Sequence, residues 1–157
     1  MQTSFFSRVD KAKSINRAET MLRDYQNYRQ LSRRPQIQTL QSPTISDMPT
    51  GHAYGNTNED KIIKYLSRQE EAKMYCMVCT RTIEAIESDV YKSILTDLYI
   101  RPIKPNSVIW DKMGYSESRF YDLRKESLLV YSEVCPGIPT FDDDGVLKYE
   151  ELLVYRK

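Results

Sequence analysis

The chain has 157 residues, 40% of them hydrophobic and 29% charged, with few glycines and prolines. That suits one compact helix-rich domain, or a small domain with an appended helical arm, with enough apolar content for a real core. The net charge of +1 excludes strong whole-chain attraction to nucleic acid, so any such partner must be met by a local patch.

The charges are in fact segregated. Residues 1–34 hold eight basic against three acidic side chains, residues 101–125 six against three, and the stretch from Glu133 onward three against six. Two basic segments and an acidic end suit a protein that meets phosphates on one side. No apolar run approaches the ~18–20 residues of a bilayer span, and the amino terminus lacks the apolar core of a secretory signal. The expectation is a cytoplasmic protein with no membrane partner, in which Cys76, Cys79 and Cys135 are reduced thiols.

In chain order, a basic helix is expected over about Ile15–Arg34, with Ile15, Leu22, Tyr25, Tyr28 and Leu31 as an uneven apolar stripe. Pro35 limits it. With no evident partner in its own chain, this helix (residues 1–34) reads as an arm that packs Leu22, Tyr25 and Leu31 against a second copy, giving a homo-oligomer. The alternative is that it folds back onto the long helix that follows. Residues 35–58 have no helical period and carry Pro43, Pro49, Gly51 and Gly55, which predicts an extended, ordered connection with Asp47 as a local cap or turn acceptor. From Thr57, Ile62, Ile63, Leu66, Met74, Val78, Ile83 and Ile86 predict a helix almost to Glu87, and a further helix is expected over Tyr91–Tyr99.

Asn106–Tyr131 is the most informative stretch. It reads as a short helix, a turn at Met113-Gly114-Tyr115 and a longer helix starting at Ser116. Gly114 suits the left-handed position that stops the first helix, and Ser116 is a natural N-cap for the second. Phe120, Leu123, Ser127 and Val130 share the face expected to be buried. That is the pattern of a helix-turn-helix, whose second helix lies in the DNA major groove. Lys112, Ser116, Glu117, Ser118, Arg119, Tyr121, Arg124 and Lys125 are the candidate DNA-contacting residues: Glu117, Ser118, Arg119 and Tyr121 for base edges, and Lys112, Arg124 and Lys125 for phosphates. Residues 59–134 form the expected helical body, and 135–157 a tail.

Other constellations point to bland roles. Cys76-Met77-Val78-Cys79 has metal spacing but lacks a second ligand pair, and His52 is the only histidine; buried thiols fit better. Asp142-Asp143-Asp144-Gly145 opens like a calcium loop, yet no carboxylate stands at the twelfth position, so a turn is expected. Nothing marks a nucleophile elbow or a phosphate-cradling glycine loop. We expect no enzyme, no cofactor and no metal.

Five patches also resemble the ArpU-type transcriptional regulators of phages and prophages. They are Tyr25-Gln26-Asn27-Tyr28, Ser42-Pro43-Thr44-Ile45-Ser46-Asp47-Met48-Pro49, Gly55-Asn56, Gly114-Tyr115-Ser116-Glu117-Ser118-Arg119-Phe120-Tyr121 and Glu151-Leu152-Leu153-Val154-Tyr155. The carboxy-terminal part is similar to region 4 of sigma factors. The resemblance implies a phage-encoded activator of late genes for packaging, morphogenesis or lysis, with double-stranded promoter DNA as partner and host RNA polymerase as a further one. The extension over Gly137–Tyr149 departs from the family pattern. The expected fold is thus all-α, with a carboxy-terminal sigma region 4-like helix-turn-helix and an amino-terminal helical arm. Two other functions stay open: a DNA-packaging recognition subunit of the small-terminase kind, and a protein-interaction adaptor that binds no DNA.

Overall fold

Asp10 opens the first long helix. Its carboxylate accepts from the Lys13 amide at 3.1 Å, satisfying one of the donors that a first turn leaves without a partner. The computed structural model describes residues 4–35 and 57–157, with the backbone alone for 57–67. Helix α1 (Lys11–Arg23) follows a short 3-10 turn at Phe5–Arg8, and α2 (Tyr25–Ser32) resumes immediately after Asp24. The basic helix expected in one piece is therefore two, jointed at Asp24. On the far side of the joint, Tyr28 stacks on Tyr75 at 3.8 Å, and Gln26 donates to the carbonyls of Tyr99 and Ile100.

Helix α3 (Thr57–Ala85) buries Ala72, Tyr75, Cys79 and Ile83 along one face at intervals of three or four. Helix α4 (Asp89–Leu95) is capped by Ser88 and runs on as a π-helical turn over Thr96–Ile100, which the Arg101 amide closes on the Thr96 carbonyl. Helices α5 (Ser107–Met113) and α6 (Glu117–Val134) complete the helical part. The extended connection expected over 35–58 lies, for residues 36–56 and hence for Asp47 and His52, outside the described residues.

The protein is mostly helical but not purely so. Strands β1 (Ile138–Phe141) and β2 (Leu147–Glu150) pair antiparallel, with Ile138 opposite Glu150 and Phe141 opposite Leu147. The Asp142–Gly145 run makes their turn: Asp142 Oδ1 accepts from the amides of Asp144 and Val146, and Lys148 sits 3.2 Å from the same carboxylate. The last residues then return to α1. Val154 accepts from the Asp10 amide, Arg156 donates to the Arg8 carbonyl, and Val9 bridges Tyr155. The expected tail is a hairpin and a strap.

Among the described residues, two apolar clusters hold the chain together. The larger joins Ala18, Met21, Leu22 and Tyr25 of α1–α2 to Tyr75, Val78, Cys79 and Ile83 of α3, to Leu128 and Tyr131 of α6, and to Leu152 of the strap. The smaller joins Ile94 of α4, Ile109 of α5 and Phe120 and Leu123 of α6. This corrects the expected amino-terminal arm. Leu22 and Tyr25, assigned to a contact with a second copy, are buried within their own chain, because α3 and α6 offer them apolar surface worth about 1.5–3 kcal/mol per large side chain. Among the described residues no helix is long and apolar enough to cross a membrane, and no group of side chains could hold a metal ion. Cys79 and Cys135 are buried free thiols, and Cys76 is a half-buried one.

Candidate nucleic-acid interface

The α5–α6 junction forms for local reasons. Gly114 takes the left-handed conformation at φ 74°, its amide donates to the Asp111 carbonyl, and the Tyr115 amide reaches back to Trp110 at 2.9 Å. Ser116 is extended and its hydroxyl accepts from the Arg119 amide at 3.2 Å, so α6 starts where its cap places it. Ile109, Phe120 and Leu123 then close over Ile94 of α4, with Trp110, Met113 and Tyr115 packed at the margin. Trp110 lies 5.4 Å from the Phe120 ring and 6.0 Å from that of Tyr121. These contacts hold the orientation of α6 relative to α4 and α5.

On the opposite face of α6, Ser118, Asp122 and Lys125 are exposed at spacings of four and three and form one outward line. Glu117, Arg119 and Tyr121 are exposed beside them, and Lys112 is exposed on the last turn of α5. Ser116 is also exposed, although its hydroxyl is engaged in the cap. Asp122, which is not among the candidate residues, stands on the same line because it follows Ser118 by four positions.

The two flanks of this line differ. On one, the Arg119 guanidinium stands 3.9 Å from Glu126, whose other carboxylate oxygen accepts from the Tyr91 hydroxyl at 2.9 Å; that bond pushes the Tyr91 hydroxyl above its ordinary pKa. Arg119 is thus steadied from α4 yet still exposed. On the other flank, Arg124 turns inward. Its guanidinium pairs with Glu19 of α1, its Nε lies 3.4 Å from the Tyr99 hydroxyl, and burial lowers its pKa. The phosphate role expected for Arg124 therefore gives way to an internal one, because the folded-back α1 brings a carboxylate to it. Lys112 and Lys125 have no ion pair among the described residues.

No protein-family description, curated protein or solved structure matches the chain.

Proposed function

We propose that the protein is a sequence-specific DNA-binding regulator of transcription, with α5 and α6 as a helix-turn-helix and the amino-terminal half of α6 as its reader. One observation carries this reading. The outward line Ser118–Asp122–Lys125 belongs to a helix whose other face is locked to α4 and α5 through Phe120 and Leu123. A helix about 10–12 Å across fits a major groove about 12 Å wide, and short or long polar side chains at its start reach base edges. Ser118 and Arg119 are suited to donate to purine edges, and the Asp122 carboxylate to accept from a cytosine amino group. Tyr121, beside Trp110, offers apolar surface to a thymine methyl.

The resemblance to ArpU-type regulators adds the expectation of an activator of phage late genes, with host RNA polymerase as a second partner. Selection of binding sites from a random duplex library with the full-length protein tests the reading. A defined motif should emerge, and Ser118→Ala with Asp122→Ala should lower affinity for it more than for unrelated duplex. Sites that map to a packaging region instead of upstream of a promoter would favour a packaging subunit. Absence of any duplex binding at low salt would sink the reading and favour an adaptor.

A further inference from the structure

We infer that α1 supplies a second DNA contact, in which Arg23, together with Lys104 of the loop before α5, holds backbone phosphates on one flank of the groove that α6 enters. The inference rests on the reading proposed above and extends its partner surface to a helix outside α4, α5 and α6.

The geometry comes first. A cleft of about 500 Å³ lies between α1, the 101–106 loop and α6, and Arg23, Lys104, Tyr121 and Arg124 are among the residues that line it. Tyr121 belongs both to this cleft and to the exposed start of α6. At 100° per residue it stands roughly 40–60° to one side of the line through Ser118 and Lys125. A helix seated in the major groove has a phosphate wall on each side of it, so the Tyr121 side meets one of those walls. Arg23 and Lys104 are the exposed cations that line the cleft.

Charge points the same way. Around the junction, Lys112, Arg119 and Lys125 are outnumbered by Asp111, Glu117, Asp122 and Glu126, all exposed, so the exposed side chains of the reader carry no net positive charge of their own. DNA affinity is dominated by phosphate neutralisation, and a reader without net positive charge on a chain of net +1 needs cations from elsewhere. The cleft has them. Arg23 and Arg124 share the single carboxylate of Glu19, which leaves one positive charge of that trio uncompensated. Arg124 is largely covered, with 20% of its side chain exposed, whereas Arg23 is 68% exposed and free to add a phosphate to its contacts. Lys104 is exposed and has no ion pair among the described residues. The two bonds from Gln26 to the carbonyls of Tyr99 and Ile100 tie the helical segment after Arg23 to the segment before Lys104, so the two stretches of backbone that carry these cations are joined before DNA arrives.

The test uses the full-length protein and its selected duplex, with affinity measured across a series of KCl concentrations. Arg23→Gln and Lys104→Gln should each flatten the slope of log affinity against log salt by about 0.9, and the double variant by about 1.8, on selected and unrelated duplexes alike. Hydroxyl-radical footprinting should show sugars protected to one side of the reader's site, and the double variant should lose that protection while keeping protection at the centre. Thermal melting of the variants should be unchanged, since both side chains are exposed. An unchanged slope and footprint in the double variant, with wild-type binding intact, overturns the inference and leaves the reader standing. If the wild type binds no duplex at low salt, the proposed function fails, and this inference with it.

Discussion

The Tyr75 hydroxyl donates to the Met21 carbonyl at 2.6 Å, buried between α3 and the last turn of α1. Helix carbonyls run short of donors in a last turn, and this one has no route to water through a residue that is 1% exposed. Tyr75→Phe keeps the ring and its stack on Tyr28 but removes the donor. The expected loss is about 1–3 kcal/mol, seen as a lower urea midpoint at unchanged slope. A midpoint equal to wild type would mean that the carbonyl is satisfied without Tyr75.

The same packing predicts what truncation does. Deleting residues 1–34 takes Ala18, Met21, Leu22 and Tyr25 out of the larger cluster and bares Tyr75, Leu128 and Tyr131. At about 1.5–3 kcal/mol per large side chain, the loss is comparable to the 5–15 kcal/mol that typically holds a whole domain. The shortened chain should bind a hydrophobic dye and lose its cooperative melt. A sharp transition in the truncated protein would restore the amino-terminal arm.

How far the fold was legible follows from how local each determinant is. The Gly114 stop and the Ser116 cap depend on residues within a turn of each other, and both stand where the sequence places them. The fate of α1 depends on Tyr75 and Tyr131, more than fifty and a hundred positions away, and an apolar stripe does not name the surface that covers it. The hairpin was hidden in plain view. Asp142–Gly145 reads as a turn, but Ile138, Thr140, Leu147 and Tyr149 are too short a set of flanking residues to mark strands on periodicity alone. Arg124 shows the same limit at the candidate site, since its partner Glu19 lies 105 positions away.

Two glycines should respond differently to alanine. At Gly114, φ is 74° and a β-carbon would meet nothing within 4 Å, so Gly114→Ala should cost only the backbone penalty of about 1–2 kcal/mol. At Gly137, φ is 130° and a β-carbon would fall 2.6 Å from the Glu150 carbonyl oxygen, in the backbone of the paired strand. Gly137→Ala should therefore cost more and loosen the hairpin. Chemical denaturation orders the two, and equal losses would mean that β2 yields freely.

Alkali should destabilise the protein through its buried acids. Burial pushes the Cys79 thiol and the Tyr99 hydroxyl each up to about 12, while an unfolded cysteine ionises near about 8.5 and a tyrosine near about 10. Below those values both states keep their protons and nothing is lost. Above them the unfolded chain releases protons that the native state retains, so stability falls as pH rises from about 9 towards 12. Urea midpoints at several alkaline pH values check this, and a flat profile would contradict it. In native protein at mildly alkaline pH, half-buried Cys76 should react with a thiol reagent before Cys79 and Cys135.

Arg124 and Lys125 are sequence neighbours with opposite surroundings, so they should fail opposite assays. Arg124 pairs with Glu19 where only 20% and 16% of the two side chains are exposed; Arg124→Gln leaves that carboxylate with Arg23 alone and should lower stability by about 1–3 kcal/mol. Lys125 is exposed and unpaired among the described residues, so Lys125→Gln should leave stability within about 0.5 kcal/mol. On DNA, if α6 reads the groove as proposed, Lys125→Gln flattens the salt dependence by about 0.9 with the melt unaltered, whereas Arg124→Gln lowers the melt and also leaves Arg23 neutralised by Glu19. The melt separates the two roles, because a side chain that only meets phosphate leaves the fold unchanged when it is lost. A flattened slope with an unaltered melt in Arg124→Gln would put its guanidinium on the phosphates after all.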